Sequence, residues 1–366
     1  MGFRCGIIGL PNVGKSTIFN ALTAAGAEAA NYPFCTIDPN TGRIPVPDER
    51  LRRLASALNP PKVTPASMEF LDIAGLVRGA SRGEGLGNRF LGHIREVDAL
   101  IHIVRCFGDP DIVHVEGGVD PARDIDVVNT ELLLADLETV EKRIAACEKA
   151  SKTGSRDARR SLHQLLRLKD VLGRGMPARN VPAADFPLEG SIPEDLHLLT
   201  TKKVLYVANV DESSLAEHSK ILGEVEEIAR REGAGTIVIC GRLEAEMAEL
   251  PEEERAEFLE VLGLHESGLQ RLIRAGYALL GLITFYTTVG TELRAWTIPS
   301  KTPAPVAAGK IHSDMERGFI RAEILHYDDF IRTGGVNQAR EKGLLHTEGR
   351  DYAIRDGDIV HFRFNV

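Results

Sequence analysis

The sequence has no apolar run near the ~20 residues that a membrane-spanning helix requires, so no membrane partner is expected. It is poor in cysteine. Cys5, Cys35, Cys106, Cys147 and Cys240 are scattered, odd in number and without metal-ligand spacing. That argues against a disulfide framework, and it fits a reduced, cytoplasmic setting. Met1-Gly2-Phe3-Arg4 runs straight into an apolar stretch, so no secretory leader is expected. The chain also lacks the overall positive charge of a general nucleic-acid binder, with a formal net charge of -9. The charge is unevenly placed, however. Residues 142–179 hold eleven Lys or Arg against three Asp or Glu, and residues 244–260 hold eight Glu against one Arg. Such asymmetry marks either a basic patch for RNA or a solvated helical face. A length of 366 residues, 43% hydrophobic and 27% charged, suits a globular protein of two or three domains.

Residues Cys5 to Leu22 carry the clearest chemistry. Gly6 to Ile8 form a short apolar run suited to a buried strand. Gly9-Leu10-Pro11-Asn12-Val13-Gly14-Lys15-Ser16 fits G-x-x-x-x-G-K-[ST], and Thr17 to Leu22 begin a helix with Ile18, Ala21 and Leu22 on one face. Gly9 and Gly14 permit backbone angles that turn successive N–H groups inward, which makes a nest for α- and β-phosphates at a helix N-terminus. Lys15 can reach the β- and γ-phosphates, and the Ser16 hydroxyl can ligate magnesium. A glycine turn with an incidental lysine is the competing reading, and the strand–loop–helix context argues against it. Asn12 is placed either to help hold a monovalent cation or to stabilise its own turn.

Downstream segments are spaced as in a nucleotide switch. Thr36, within Asn31-Tyr32-Pro33-Phe34-Cys35-Thr36-Ile37, is placed as a second magnesium ligand that responds to the γ-phosphate. Cys35 beside it reads as an oxidation-sensitive thiol or as a small apolar filler. Met68 to Gly75 reads as a strand ending in D-x-x-G, which offers Asp72 to a magnesium-bound water and the Gly75 N–H to the γ-phosphate. Four glycines in the following stretch suit a segment that reorders with the nucleotide. Leu76 stands where many GTPases carry a water-orienting glutamine, so hydrolysis is slow or another group assists. His114, beyond a strand from Ala99 to Cys106, is the nearest histidine candidate, with a plain surface-loop histidine as the alternative. His93 and His102 have weaker claims, and His102 falls within the strand.

Leu133, Leu137, Val140 and Ile144 recur at helical spacing within 127–150, and Leu162, Leu165, Leu166 and Leu172 mark a second helix after a turn at 152–156. This pair interrupts the α/β pattern and reads as an inserted antiparallel arm carrying much of the basic cluster. The α/β pattern resumes at Lys203 to Ala208, followed by Asn209-Val210-Asp211-Glu212 where guanine-specific proteins show N-K-x-D. A longer carboxylate at 212 weakens the guanine case, whereas Asn209 can read adenine N6 and N7 and Val210 can pack on the ring. Thr236 to Ile239 read as a further strand before Cys240-Gly241-Arg242, a second base-side loop. Beyond about residue 283, short strands at 282–289, 292–298, 319–324 and 358–364, with a turn at Asp356-Gly357, suggest a compact β-grasp-like module.

Together, Gly9 to Thr17, Asn31 to Thr36, Asp72 to Leu76, Asn209 to Glu212 and Arg294-Ala295-Trp296-Thr297-Ile298 resemble the Obg-like, YchF-type P-loop ATPases of the TRAFAC class. The likeness extends over essentially the whole chain. It implies an α/β P-loop G-domain (1–126 and 201–280), an inserted antiparallel helical coiled-coil arm (127–200) and a C-terminal β-grasp TGS domain (281–366). It further implies a slow ATPase, stimulated by ribosomes and dependent on potassium, in preference to an Obg-type GTPase of ribosome assembly or a nucleotide-gated adaptor. The residues it assigns to nucleotide are Asn12, Val13, Gly14, Lys15, Ser16, Thr17, Gly75, Asn209 and Val210. It assigns Ser16, Thr36 and Asp72 to Mg2+, with K+ as a further cofactor. By the same resemblance Lys15 and His114 are catalytic, and Cys35 matches a cysteine linked to redox control. ATP and the ribosome are the implied partners, with ribosomal RNA met through the basic arm. Gly241-Arg242 departs from the small residues usual in relatives, which leaves the base-side loop open.

Overall fold

The structure, a computed structural model, describes residues 3–29, 40–73, 75, 79, 86–152, 156–181, 193–215 and 219–365. In chain order it runs β1 (Arg4–Ile8), α1 (Lys15–Ala29), β2 (Thr41–Pro45), α2 (Glu49–Leu58), β3 (Lys62–Thr64), β4 (Ser67–Asp72), α3 (Leu86–Arg95) and β5 (Ala99–Arg105). Next come α4 (Pro121–Lys152), α5 (Arg156–Gly173), β6 (Lys203–Asn209), α6 (Lys220–Glu232), β7 (Gly235–Ile239), α7 (Gly241–Ala248), α8 (Glu252–Val261) and α9 (Gly268–Leu279). The remainder is β8 (Leu282–Val289), β9 (Glu292–Pro299), α10 (Ala304–Ile311), α11 (Ser313–Arg317), β10 (Phe319–His326), α12 (Tyr327–Thr333), α13 (Val336–Glu341), β11 (His346–Glu348) and β12 (Asp358–Phe364). These elements divide into two compact units, Met1–Gly42 with Glu69–Leu272, and Arg43–Met68 with Ile273–Val366.

One sheet has the strand order β2-β4-β1-β5-β6-β7. β1 pairs in parallel with β4 and β5, and β5, β6 and β7 continue in parallel. Every residue of β5 is buried, as expected of a central parallel strand covered on both faces. The arm helix α4 is one 32-residue element. Ile125, Val128 and Leu132 in its first half are buried. Val140 and Ile144 join Leu133 in a seam with Leu165, Leu168 and Leu172 of α5. The 3 and 4 spacing selects Leu168 for this seam, whereas Leu166, an expected seam residue, is 49% exposed. A Lys169–Glu141 ion pair at 2.7 Å gives the antiparallel register. Each seam leucine removed from water stabilises the pair by roughly 1.5–3 kcal/mol.

The second unit has a sheet of order β11-β10-β12-β8-β9-β3. β8 and β9 form an antiparallel hairpin, with Gly290 at φ +61° in its turn. Phe285, Ile298, Phe319, Ile324, Val360 and Phe362 close over α10, whose Ala304, Ala307 and Ala308 allow close approach. Arg294 lies 4.0 Å from the Trp296 ring centroid, and the Trp296 indole N–H donates to Thr287.

Residues 43–68, expected within the nucleotide-binding domain, fall in the second unit. Here β3 pairs in parallel with β9, Lys62 to Glu292 and Thr64 to Arg294. Thr64 also hydrogen-bonds Glu292, Tyr286 donates to Asp48, and Arg50 grips Asp356 through two bonds of 2.8 and 3.2 Å.

Candidate functional site

The phosphate cradle lies in the turn from β1 into α1. Gly9 has φ +147° and Gly14 φ +95°. A Cβ on Gly9 would stand 2.4 Å from the Ile103 carbonyl oxygen, and one on Gly14 would stand 2.3 Å from Asn209 Nδ2. Both positions therefore need glycine for space as well as for conformation. Asn12 takes φ +62°, a left-handed position that asparagine tolerates.

Lys15 is buried, and its ammonium donates to the Leu10 carbonyl at 2.7 Å across the loop. Burial pushes it down to about 8, with Asp72 pulling it back up. The Ser16 hydroxyl donates to Asp72 Oδ2 at 3.2 Å. The other Asp72 oxygen, Oδ1, is buried and has no hydrogen-bond partner among the described residues. A hydroxyl against a carboxylate with an orphaned oxygen is a donor set that fits a hard divalent cation. Gly75 lies against the cradle, since a Cβ there would be 3.1 Å from Lys15 Nζ.

Asn209, at the end of β6, joins the cradle to the base side. Its Nδ2 donates to the Val13 carbonyl at 2.9 Å, and its Oδ1 accepts from the Gly241 N–H at 2.9 Å. The residue expected to read a base thus spends one N–H and one acceptor site on a tie, leaving one N–H and one acceptor site for recognition. Val210 is buried and its N–H bonds Ile239. Asp211 accepts from Ser213 and Ser214 and fixes the turn after it. A cleft of about 910 Å³ includes Asn12, Gly14, Lys15, Ser16 and Thr17 on the cradle side and Asn209, Val210, Glu212 and Arg242 on the base side. Arg242 is exposed and paired at 3.1 Å with Glu246.

His114 is not among the lining residues of this cleft. Its Nε2 lies 2.8 Å from Asp124 Oδ2, and its Nδ1 accepts from the Glu116 N–H at 3.1 Å. Both ring nitrogens are committed, so the pose offers water no free lone pair. The reading of His114 as a water activator therefore requires a rearrangement. The loop that carries it does reach the cradle, because Asn12 Nδ2 donates to the Val113 carbonyl at 3.1 Å. Arg105, 2% exposed, braces the same loop through the carbonyls of Phe107, Asp109 and Ile112. His102 is buried in β5 beside Tyr206, with ring centroids 5.3 Å apart.

Thr36, Cys35 and Leu76 lie outside the described residues. Sequence reasoning did not single out Asp124, which holds the ring of His114, or Glu131, which accepts from the Gly79 N–H at 2.7 Å. The only sequence signal was for Asp124, an acidic side chain in the first turn of a long helix, which many helices show.

Residues 4–146 match the family of the 50S ribosome-binding GTPase, and residues 282–365 match the YchF GTPase C-terminal family, described as a protein of unknown function. The chain is 53% identical over 366 residues to the ribosome-binding ATPase YchF of Haemophilus ducreyi, with all of both chains covered. It is 52% identical to the proteins of that name from Bacillus subtilis and Escherichia coli O157:H7, again over the full length of each. Among solved structures it is similar to the Schizosaccharomyces pombe YchF GTPase, with a TM-score of 0.87 and 37% identity, covering 99% of this chain and 98% of that one.

Proposed function

Because the chain belongs to the YchF family, we propose that it is an ATPase that associates with the ribosome, a slow nucleotide switch of the cytoplasm. The observation that carries this reading is the single cleft joining the phosphate cradle at Gly14 and Lys15 to a base side at Asn209, Val210 and Glu212. In this reading the backbone of Asn12 to Thr17 and the Lys15 ammonium bind the phosphates, and the Gly75 N–H faces the γ-phosphate. Phosphate oxygens replace the Leu10 carbonyl as the partner of Lys15. The buried Val210 packs on adenine, and the spare Asn209 N–H reads its edge. Ser16 and Asp72 would hold Mg2+. When bound, the ion neutralises charge on the β- and γ-oxygens. Asn12 would help hold K+, and the C-terminal unit is a TGS module. The basic arm carries the contact to ribosomal RNA.

Glu212 in place of aspartate supports ATP over GTP, because its longer carboxylate does not stand where the usual aspartate meets the guanine N1 and N2 donors. Competition of ATP and GTP for a fluorescent nucleotide tests the base assignment, and tight, selective GTP binding favours an Obg-type GTPase instead. His114 supplies the group that Leu76 lacks. His114→Ala is expected to lower ribosome-stimulated hydrolysis with nucleotide affinity nearly unchanged, and a large loss of binding overturns that role. If ribosome association follows the nucleotide but survives loss of hydrolysis, the protein is better described as an adaptor with hydrolysis as a timer.

A further inference from the structure

We infer that Asp124 is the positioning residue of the hydrolytic site. It holds His114 in the tautomer with the proton on Nε2, so that Nδ1 is the atom that accepts the proton of the attacking water. This inference rests on the reading of His114 as the water-activating group, and it concerns which of its nitrogens acts and what orients it.

The tautomer follows from the partners. The Glu116 backbone N–H can only donate, so Nδ1, 3.1 Å away, must be the unprotonated nitrogen. The proton then sits on Nε2 and is donated to Asp124 Oδ2 at 2.8 Å. Asp124 is itself fixed. Its Oδ1 accepts from Arg123 Nε at 3.1 Å and Nη2 at 2.8 Å. Arg123 also donates to the carbonyls of Glu116 and Gly118, so one guanidinium clamps both the carboxylate and the loop beside the ring. The His114 and Asp124 side chains are 7% and 3% exposed.

Freeing His114 requires one of its two bonds to break, and the two differ in strength. The bond to Asp124 is short, buried and made to a charged partner, the kind roughly twice as strong as a neutral one. The bond from Glu116 is longer, neutral and contributed by a loop. Release of Nδ1 is therefore the smaller rearrangement, and it leaves the imidazole anchored to a buried carboxylate on the first turn of α4. That arrangement, a base whose second nitrogen is oriented by a carboxylate, is the general logic of histidine proton acceptors. In the step, the water oxygen bonds to the γ-phosphorus as the bond from phosphorus to the β–γ bridging oxygen breaks. The water proton passes to Nδ1, and ADP leaves with the electron pair of the broken bond. The imidazolium, held by Asp124, then returns its proton to the phosphate product or to solvent.

Asp124→Asn is the discriminating variant. An asparagine can present its N–H to Nε2, which moves the ring proton to Nδ1 and removes the lone pair where it is needed. Single-turnover hydrolysis on ribosomes is expected to fall by about 100-fold or more in Asp124→Asn and in His114→Ala, with little change in nucleotide affinity. The double variant should fall no further, since the two residues act as a unit. The ¹⁵N spectrum of the His114 ring should show Nε2–H in the parent and Nδ1–H in Asp124→Asn. If His114→Ala retains the rate, the reading of His114 fails. If His114→Ala loses the rate and Asp124→Asn does not, Asp124 has no positioning role. A gain in rate for Asp124→Asn shows that Asp124 restrains the ring, and it too overturns the inference. Should Asp124→Asn fail to bind nucleotide, the parent tautomer decides, and Nδ1–H refutes the assignment.

Discussion

Asn209→Ala tests how the cleft is held together. The substitution removes the bond from Nδ2 to the Val13 carbonyl and the bond from the Gly241 N–H to Oδ1, both 2.9 Å and both buried. Two backbone groups, one in the cradle and one at the start of α7, lose their partners. A buried polar group left unsatisfied costs about 1–3 kcal/mol, so the pair costs roughly 2–6 kcal/mol where water does not replace the amide. For a folding unit of this size each kcal/mol lowers Tm by about 2–4 °C, so a fall of roughly 4 °C or more is expected without nucleotide. Thermal melts of the nucleotide-free protein measure it, and ATP titration measures the accompanying loss of affinity. Asn209→Asp keeps the acceptor for Gly241 but sets a carboxylate against the Val13 carbonyl, so it should also destabilise. If the nucleotide-free stability of Asn209→Ala matches the parent and only base selectivity changes, Asn209 is a reader and not a tie.

Three further outcomes follow from the same geometry. Burial, reinforced by the positive charges of Lys15 and Arg179, pushes the His102 imidazole down to about 3. The unfolded chain then binds the proton that the folded one refuses, so the parent should lose stability relative to His102→Phe as pH falls from about 6.5 toward 3. A constant difference between their melts across that range contradicts this. Charge reversal at the exposed Arg159 and Arg160 should weaken ribosome binding and flatten its salt dependence, as read by co-sedimentation at several salt concentrations. An unchanged slope removes the arm from the contact. Asp72→Asn leaves a hydrogen-bonding side chain beside Ser16 but removes the charge, so turnover should need a higher magnesium concentration, and an unchanged magnesium titration contradicts the assignment.

What the sequence disclosed follows the range of each interaction. The cradle was legible because glycine angles, the lysine and the helix start are set within nine residues, Gly9 to Thr17. The arm was legible because a seam at helical spacing repeats, although the choice of Leu168 over Leu166 depends on the facing helix. The placement of β3 was not legible. Three residues carry no period, and their partners lie more than two hundred positions away in β9. Asn209 was noticed for its chemistry, but its tie needs a carbonyl from the cradle and an N–H from α7. Asp124 escaped notice because an acidic residue in a first helical turn is ordinary until a buried imidazole is found against it.

The central claim is that this cleft serves ATP and that the ribosome accelerates its hydrolysis. Turnover of ATP and of GTP, each measured in potassium and in sodium and with and without ribosomes, tests it most directly. The account predicts slow ATP hydrolysis that rises with ribosomes and depends on potassium, with GTP a poor substrate. Selective GTP turnover, or ATP turnover indifferent to ribosomes, contradicts it.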